Sequence, residues 1–446
     1  MTHIDLLLKN CDALLFDQNT QLLGRSSVDI AVHRGKIIEI QSTLNRTADQ
    51  ILNLKGLTVL PGVIDSQVHF REPGMTHKED IETGTRAAVL GGVTSVFEMP
   101  NTNPSTSTKE AFNEKLKLAV NRAHCHYAFF AGATHDNPDD LAELENLKHC
   151  SGVKVFLGAS FGSLLVDDDI VFERIMKNGR RRLTIHSEDE ARLKARKYIA
   201  LEAGHVRSHP LWRDEASAMI STKKSIFLAK KYKRPVHILH VSSSEEMDFL
   251  AQNKDIASVE ILPQFLTLSA PECYESLGTL AQQNPPIRDK RHMEKLWQAV
   301  LNGTVDIIGS DHAPHTLEEK NKPYPESPSG FPGVQTLVPI MLNHVHEKRL
   351  SLELLTQLVT ENPRRLFKVK NKGRIAVGFD ADFTIVDLKK KNIITNKAMA
   401  SKCGYTPFDG MKVTGWPTHT ILKGKIVMQE DQVITPHTGE AIEFDK

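Results

Sequence analysis

Short apolar runs that stop at a metal-ligating side chain recur along this 446-residue chain, and they constrain its fold more than any other feature. VIDSQVH, RRLTIH and PVHILH each end in a histidine, GVKVFLG contains a lysine, and VDIIGS is followed by an aspartate. The five side chains are His69, Lys154, His186, His240 and Asp311. Buried parallel strands are continuous apolar runs whose carboxyl ends lie together. The recurrence therefore predicts strands that point into one shared site.

Eight strand-like runs lie between about residue 58 and residue 312, and helix-compatible segments separate most of them. The runs are TVLPGVIDSQVHF, TSVFEMP, CHYAFFAGA, GVKVFLGA, RRLTIHS, RPVHILHV, SVEILPQFLTL and VDIIGSDHA. Eight alternating βα units favour a closed (β/α)8 barrel of the TIM type over an open doubly wound sheet. No GxGxxG motif follows the first run, which argues against a dinucleotide fold. We predict an α/β fold with the barrel over residues 58–365.

The two ends of the chain have a different pattern. Residues 1–57 contain alternating stretches such as VDIAVHRGKIIEI, and the C-terminal part contains GFDADFTIVDL and THTILKGKIVM. Such alternation between turn residues indicates β-strands. We predict that residues 1–57 and 366–446 form one composite domain, a small β-sandwich built from both termini. The proline-rich segment from Asp311 to Gln335 is predicted to be the last loop over the site.

Composition and charge narrow the classes of partner. The formal net charge is only +1, so no nucleic-acid or membrane footprint is expected. The apolar stretches are strand-sized, and the start MTHIDLLLKN does not resemble a signal peptide. The five cysteines show no CxxC spacing, so neither a disulfide framework nor a cysteine zinc site is predicted. We expect a cytoplasmic protein with a small-molecule substrate.

The strand-end residues suggest metal chemistry. Three histidines and an aspartate are sufficient ligands for Zn²⁺ or a similar divalent ion. Lys154 is the unusual member, because a cation repels an ammonium group. It fits the site if it is deprotonated, displaced, or carboxylated by CO₂ to a carbamate that bridges two ions. Two ions roughly 3.5–4 Å apart would activate water and polarise a carbonyl group, and Asp311 could then transfer the proton.

Each of these residues also has a structural interpretation. The chain has 20 histidines, and a single strand-terminal histidine is more often structural than functional. His237, three residues before His240, is an example of the structural case. A lone Lys154 would usually be an edge lysine. The agreement of five strands favours the functional interpretation.

Seven sequence blocks resemble, in their usual order over residues 61 to about 340, those of the amidohydrolase superfamily and specifically of dihydroorotases. They are PGVIDSQVHFREPG, GGVTSVFEMPNTNP, GVKVFLGAS, LTIHSEDE, VHILHVSSSEE, QNPPIRDK and IIGSDHAPHT. The resemblance implies a cyclic amide hydrolase that interconverts N-carbamoyl-L-aspartate and L-dihydroorotate in pyrimidine biosynthesis. It also implies one or two Zn²⁺ ions on the strand-end ligands, with Lys154 as a candidate N6-carboxylysine.

The first two blocks bear on the substrate. Dihydroorotases carry an arginine after the metal histidine and an asparagine in MPNT, as Arg71 and Asn101 do here. Hydantoinases, dihydropyrimidinases and allantoinases generally lack that pair. An arginine fork pairs with a carboxylate such as the one on dihydroorotate, and His315 could add hydrogen bonds. The structural alternative for Arg71 is a surface salt bridge with a nearby glutamate, Glu72 or Glu79.

Three further residues follow from the resemblance alone. Asn284 in QNPPIRD resembles the loop residue whose backbone contacts the pyrimidine ring. Ser329 and Gly330 in PSGFPG resemble the final loop that closes over that ring. A proline-glycine loop has an equally good structural reason for its composition.

Two positions depart from the family pattern. The usual His-x-His motif is Gln67-Val68-His69 here, and Gln264 stands where related enzymes tend to have histidine. Because an amide oxygen is a poorer zinc ligand than imidazole, three alternatives remain for Gln67. One ion is held by fewer ligands, the site is mononuclear, or Gln67 turns to bind a water molecule.

The sequence also leaves alternatives for the activity of the protein and for its assembly. One alternative activity is hydrolysis of a neutral ring such as hydantoin, dihydropyrimidine or allantoin. Another alternative is a catalytically silent scaffold, with aspartate transcarbamoylase as a conceivable partner that nothing in the sequence supports. By analogy with the superfamily we expect a homodimer. Because His69, Lys154, His186, His240 and Asp311 are all retained, the sequence favours a working enzyme.

Overall fold

The computed structural model describes residues 3–16, 22–158 and 162–445. Its strands are β1 Leu6–Phe16, β2 Leu22–His33, β3 Lys36–Gln41, β4 Gln50–Asn53, β5 Thr58–Pro61, β6 Val63–Val68, β7 Val93–Glu98, β8 His126–Gly132, β9 Cys150–Phe156, β10 Leu183–His186, β11 Val236–Ile238, β12 Ala257–Ile261, β13 Ile307–Ile308, β14 Phe383–Ile393, β15 Lys412–Leu422, β16 Lys425–Gln429 and β17 Gln432–Val433. Its α-helices are α1 Ile81–Leu90, α2 Lys109–Ala119, α3 Leu141–Leu144, α4 Asp169–Lys177, α5 Glu190–Ala203, α6 His209–Trp212, α7 Glu215–Tyr232, α8 Ser244–Ala251, α9 Pro263–Thr267, α10 Glu272–Leu277, α11 Lys290–Leu301, α12 Leu317–Lys320, α13 Leu337–His346, α14 Leu352–Thr356 and α15 Asn362–Phe367.

A parallel barrel occupies the middle of the chain. Within the described residues, its eight strands pair in sequence order from β6 to β13. The ring is closed by the segment that follows β13, because Val68 forms a parallel bridge with His312 and the His69 amide donates to the His312 carbonyl at 2.7 Å. The predicted (β/α)8 fold is therefore confirmed, and the carboxyl ends of the strands meet at one end of the barrel.

The first predicted strand is in fact two strands that belong to different sheets. β5 pairs with β1 and β14 in the sheet of the termini, whereas β6 begins the barrel. Gly62 separates them, and a Cβ atom there would lie only 2.4 Å from the Thr94 hydroxyl oxygen. The chain therefore passes tightly between Thr94 and the C-terminal segment at Asp382 before it enters the barrel.

Both termini contribute to the second sheet. In the described part of the chain it has nine strands, with the order β17-β16-β15-β14-β5-β1-β2-β3 and with β4 paired to β1. The N-terminal strand β5 lies between β1 and the C-terminal strand β14, so the two ends of the chain are joined by hydrogen bonds. The composite β unit expected from both termini is thus present, as one mostly antiparallel sheet with its own apolar core.

Several helices begin where the sequence supplies a capping side chain. Asp80 accepts the Thr83 amide at the start of α1, Asp214 accepts the Ser217 amide at the start of α7, and Ser243 accepts the Glu246 amide at the start of α8. These caps determine where the helices begin that connect one barrel strand to the next. None of the helices in the described ranges is both long enough and apolar enough to cross a bilayer.

Candidate active site

A cavity of about 230 Å³ lies at the carboxyl ends of the barrel strands. Its lining contains every residue singled out from the sequence for metal or substrate binding. The lining residues are Gln67, His69, Arg71, Asn101, Lys154, Phe156, His186, His240, Asn284, Asp311, Ala313, His315, Pro328, Ser329 and Gly330. The structure therefore brings together side chains that are up to 263 positions apart in sequence, from Gln67 to Gly330.

Three of these residues have an unusual backbone conformation. Arg71, His240 and Asp311 have positive φ angles of 62°, 38° and 48°. Non-glycine residues with such angles are strained by about 1–3 kcal/mol each, and they cluster at functional sites where the surrounding structure imposes the geometry. The strain here lies where strands β6, β11 and β13 have just ended.

One side of the cavity is formed by two facing imidazoles. His186 Nδ1 lies 3.0 Å from His240 Nε2. The other ring nitrogen of His186 donates to Glu188 at 2.8 Å, which leaves the Nδ1 lone pair directed into the cavity. Two ligands of a tetrahedral Zn²⁺ ion, each at about 2.0–2.1 Å, lie about 3.3 Å apart. The spacing of the two nitrogens therefore fits a shared cation.

Glu188 is a residue of the candidate site that the sequence analysis missed. It is fully buried, and the Arg213 guanidinium donates to it at 3.0 Å. Burial opposes its charged form, but Arg213 and His186 outweigh this effect and hold the pKa of Glu188 at about 2. A carboxylate behind a ligating histidine fixes the ring and raises its basicity. The spacing of two residues after His186 was the signal that could have identified it.

The opposite side of the cavity is formed by His69, Asp311 and Gln67. His69 donates from Nδ1 to the Asn101 side-chain oxygen at 2.6 Å, and its Nε2 lies 3.1 Å from Asp311 Oδ1. Asn101 thus orients the predicted ligand His69, in addition to lining the cavity. The Gln67 amide nitrogen donates to Asp311 Oδ1 at 2.9 Å, and the Gln67 Oε1 atom is buried without a hydrogen-bond partner among the described residues.

Lys154 lies between the two sides on β9. Its side chain is fully buried, its Nζ atom has no hydrogen-bond partner in the described chain, and Nζ lies 4.5 Å from the centre of the Phe156 ring. Burial lowers the pKa of Lys154 to about 7, although Asp311 and Glu260 favour the charged form. Burying an amine without a hydrogen-bond partner costs folding free energy, and a further group bound in the cavity would reduce that cost.

The residues present therefore fit a divalent cation. Imidazole nitrogens and a carboxylate oxygen from separate strands converge on one cavity, and they are the ligand types that such ions prefer. The unpartnered Lys154 Nζ and Gln67 Oε1 atoms lie in the same lining.

Arg71 is buried in the cavity wall and forms no ion pair with a described acidic residue. It is only 5% exposed, its Nε donates to the Pro314 carbonyl at 3.2 Å, and no ion pair with a carboxylate is present within the described residues. Glu72 instead accepts from Arg122 at 2.7 Å, and Glu79 accepts from Ser401. The surface salt bridge considered for Arg71 is therefore wrong. A buried guanidinium without a counter-ion is a ready site for an anion.

His315 supports Arg71 and the last loop. Its Nδ1 accepts from the Lys78 ammonium at 3.1 Å, and its Nε2 donates to the Ser329 carbonyl at 3.1 Å. Burial and the neighbouring Arg71 hold the pKa of His315 well below its usual range, so the ring is neutral. Arg71 packs against this ring, with its terminal nitrogen 3.3 Å from Nε2. Both ring nitrogens are thus engaged by the protein, and Lys78 is a further residue that sequence reasoning did not find.

The final loop is held over the cavity by a buried lysine. The Lys320 ammonium donates to the carbonyls of Gln282, Pro328 and Gly330 at 2.9–3.0 Å. Gly330 has a φ of +124°, and a Cβ atom there would lie 2.5 Å from the Ala313 carbonyl oxygen. Only glycine fits this close approach, so the loop composition has a structural reason.

Asn284 and Gln264 differ in their relation to the cavity. The Asn284 side-chain oxygen accepts from His209 Nε2 at 3.0 Å, and the residue lines the cavity. Gln264 is buried beneath it, where its amide donates to the Ser310 carbonyl at 3.2 Å and to Gln283 at 3.1 Å. The second histidine-to-glutamine change is thus a packing position and not part of the cavity wall.

The sequence model of the amidohydrolase family matches residues 58–427. The chain belongs to the amidohydrolase family. The match covers the whole barrel and extends into the C-terminal strands of the second sheet.

Similar amidohydrolases include several dihydroorotases. The dihydroorotase of Methanosphaera stadtmanae is 33% identical over 438 residues, which are 96% of this chain and 97% of that protein. The dihydroorotase of Pyrococcus abyssi is 37% identical over 414 residues, or 93% of this chain and 94% of that protein. The multifunctional protein CAD of Squalus acanthias is 34% identical over 383 residues, which cover 84% of this chain and 15% of that protein.

Solved structures of hydantoinases share the fold of this amidohydrolase. The L-hydantoinase of Arthrobacter aurescens has a TM-score of 0.93 at 28% identity and covers 99% of this chain and 100% of its own. The dihydropyrimidinase of Brevibacillus agri has a TM-score of 0.89 at 24% identity, with 99% of both chains covered.

Proposed function

We propose that this amidohydrolase is a dihydroorotase, which closes N-carbamoyl-L-aspartate to L-dihydroorotate with loss of water and catalyses the reverse hydrolysis. This reaction is a step of pyrimidine biosynthesis. The dihydroorotases described above match the chain over nearly its whole length. The observation that carries the proposal is Arg71, a buried guanidinium without a carboxylate partner in the described chain, in the wall of the cavity that holds the metal-ligand set.

Arg71 separates the proposed substrate from those of sibling enzymes. Dihydroorotate carries a carboxylate on its ring, whereas hydantoin and dihydrouracil are neutral rings. A guanidinium can bind a carboxylate through two parallel hydrogen bonds, which fix orientation as well as affinity. His315 packs against Arg71, and Pro314 accepts from its Nε, so the fork is oriented before the substrate arrives. Pre-orientation of this kind lowers the entropic cost of placing the substrate in its reactive geometry.

The metal would be held by His69, Lys154, His186, His240 and Asp311, with zinc as the proposed ion. When bound, it would polarise the ring amide carbonyl and acidify a water molecule. Glu188 and Asn101 would hold two of the imidazoles in their ligating tautomers, because each accepts the proton of the ring nitrogen that faces away from the cavity.

Asp311 would transfer the proton of the reaction. In hydrolysis, the water oxygen adds to the ring carbonyl carbon, the carbon–nitrogen bond breaks, and the leaving nitrogen needs one proton. An Asp311 carboxylate oxygen would accept the proton from the water and donate it to that nitrogen. The hydrogen bond from the Gln67 amide to Oδ1 holds the carboxyl group in place for this step.

Lys154 is a candidate for carboxylation. CO₂ reacts with a neutral amine, whose nitrogen forms a bond to the CO₂ carbon and releases a proton. Burial brings the pKa of Lys154 to about 7, so the amine form is available at neutral pH. The carbamate product is an anion with two oxygens, and it would replace the amine in the cavity wall with a group that can ligate a cation.

The two sides of the cavity differ in the ligands that they offer. His186 and His240 supply two imidazoles on one side, whereas His69, Asp311 and the neutral amide of Gln67 form the other. Imidazole is a better zinc ligand than an amide oxygen. We therefore infer one tightly bound ion beside His186 and His240 and a weaker position beside Gln67.

Gln67→His should strengthen the weaker position. After dialysis against a mild chelator, we expect about one ion per chain in the unaltered protein and about two in the variant, because a third imidazole joins the set. Elemental analysis by mass spectrometry measures this. Gln264→His is the matched control, since Gln264 lies outside the cavity wall. Equal metal content in all three proteins would contradict the inferred asymmetry.

A substrate comparison tests the proposed activity directly. Purified protein loaded with zinc should open dihydroorotate and close carbamoyl-aspartate, with kcat/KM at least about 10²-fold higher than for hydantoin, dihydrouracil or allantoin. A preference for a neutral ring would replace the proposal with a hydantoinase-type activity. Zinc-loaded protein that turns over none of the four rings would favour the silent scaffold.

A further inference from the structure

A second cavity lies at the other end of the barrel. It has a volume of about 710 Å³ and is lined by residues at the amino ends of three strands. Ser151 is the second residue of β9, Arg182 directly precedes β10, and Pro235 directly precedes β11. The catalytic side chains lie at the carboxyl ends of the same strands, so the two cavities are separate.

The lining of this cavity is strongly basic. Among the described residues, six cationic side chains and one carboxylate line it. The cations are Lys177, Arg180, Arg181, Arg182, Arg365 and Lys368. The carboxylate is Glu145, and it is already engaged: it accepts from the Arg234 guanidinium at 2.6 Å and from the backbone amides of Arg180 and Arg181 at 2.6 and 3.1 Å.

Some of these cations have a structural role and others do not. Arg181 donates to the carbonyls of Cys150 and Ser151 at 2.7 and 3.1 Å, so it stabilises the start of β9. Lys177, Arg180 and Arg365 form no ion pair with any described residue. Their charges are therefore available to a ligand in the cavity.

Two buried polar atoms in the lining also lack partners. The Arg182 Nε atom and the Ser151 hydroxyl oxygen are both inaccessible to solvent and make no hydrogen bond within the described chain, and Ser151 is only 2% exposed. The Arg182 guanidinium does donate to the Val236 carbonyl at 2.9 Å, so its position is fixed. Buried polar atoms without partners are rare, and each one raises the free energy of the wall that holds it.

The cations also destabilise one another. Burial and, to a smaller extent, the nearby charge of Arg365 lower the pKa of Arg182 to about 10, although Asp306 favours the charged form. Like charges held close together cost free energy, part of which a bound anion would recover.

The cavity has an apolar surface beside the charges. Leu366, Phe367 and Pro235 contribute to its wall. Phe367 is buried and packs edge-to-face on Phe97 and Phe130 at ring distances of 5.4 and 5.9 Å, so this part of the wall is rigid. A volume of this order falls within the range of about 300–1,000 Å³ that holds small organic ligands.

We propose that this cavity binds a small phosphorylated organic anion of nucleoside-polyphosphate size, with its phosphates on Arg180, Arg182 and Arg365 and its ring against Leu366 and Pro235. Guanidinium forks bind phosphate oxygens in pairs, which suits these three arginines. The site does not depend on the dihydroorotase reaction, because it shares no lining residue with the catalytic cavity.

Isothermal titration of the full chain tests the proposal, with ATP, inorganic tripolyphosphate and citrate as separate probes and without added metal. We expect ATP to bind with a stoichiometry of one and with a Kd below about 100 µM. Tripolyphosphate should bind more weakly because it lacks a ring, and citrate should bind more weakly than ATP because carboxylates replace its phosphates.

The matched variants are Arg180→Glu/Arg365→Glu and, as a control, Lys197→Glu/Lys230→Glu. Both double variants change the net charge by the same amount. The control lysines are exposed and lie outside the cavity. The cavity variant should weaken ATP binding at least about tenfold, whereas the control should change it less than about twofold. If thermal melting shows that the cavity variant is unfolded, Arg180→Gln/Arg365→Gln replaces it, with the same expected direction.

Three results would overturn the proposal. One is the absence of saturable ATP binding up to about 1 mM, which is the weak limit of specific small-ligand sites. Another is an equal loss of binding in the cavity and control variants, which would indicate nonspecific charge attraction. The third is tight binding of a short single-stranded oligonucleotide at this cavity without ATP binding, which would indicate a nucleic-acid surface instead.

Discussion

Arg71→Met is expected to raise the KM for dihydroorotate and to lower kcat/KM by about 10²–10³-fold, equivalent to about 3–4 kcal/mol. The variant removes the charge proposed to bind the substrate carboxylate, while methionine retains much of the side-chain volume in a wall where Arg71 is only 5% exposed. Steady-state kinetics in both directions of the reaction measure the effect.

The control for this variant is Arg86→Met, which removes an arginine on α1 that is outside the cavity lining and forms a helix-surface pair with Glu82. Its kinetic constants should stay within about twofold of the unaltered protein, as expected for the loss of an exposed ion pair. An Arg71→Met variant with an unchanged KM for dihydroorotate would refute the role of Arg71 as the carboxylate-binding residue.

Asp311→Asn is expected to lower kcat by about 10²–10⁴-fold, the usual range for loss of a proton-transfer group. The amide has nearly the same shape as the carboxyl group but cannot accept the proton from water. Rates are measured together with metal content, because Asp311 is also a proposed ligand. A rate loss at unchanged metal content assigns the effect to proton transfer.

Asp306→Asn is the control for Asp311→Asn. Asp306 directly precedes β13, at the opposite end of the strand that Asp311 follows, and pairs with Lys254. It lies outside the cavity lining, so kcat should be nearly unaffected. A kcat of Asp311→Asn within about threefold of the unaltered protein would contradict the proton-transfer role.

The barrel could be predicted from the sequence because its signals are local. Each strand is a short apolar run, and each intervening helix has its own pattern and capping residue. The separation of β5 from β6 could not be predicted in this way. It depends on the contact of Gly62 with Thr94 and on the pairing of β5 with β14, more than 300 residues further along the chain.

The candidate site, like the fold, could be predicted only in part from the sequence. His69, His186 and His240 could be selected because each follows or ends an apolar run. Asn101 and Glu188, which orient two of these rings, were also within reach of sequence reasoning. The residues that hold Glu188 and His315 in place were not, because they act through contacts between distant parts of the chain. Arg213 reaches Glu188 from 25 positions away, and Lys78 reaches His315 from 237 positions away. Neither pair has a signature in the local sequence.

Removal and return of metal test the central claim most directly, namely that strand-end side chains hold a cation that the reaction requires. The protein is stripped with a strong chelator, zinc is added back stepwise, and bound zinc and dihydroorotate turnover are followed together. We predict that the stripped protein is inactive and that activity rises with the first equivalent of zinc per chain. Undiminished turnover by protein that retains less than about 0.1 ion per chain would contradict the account.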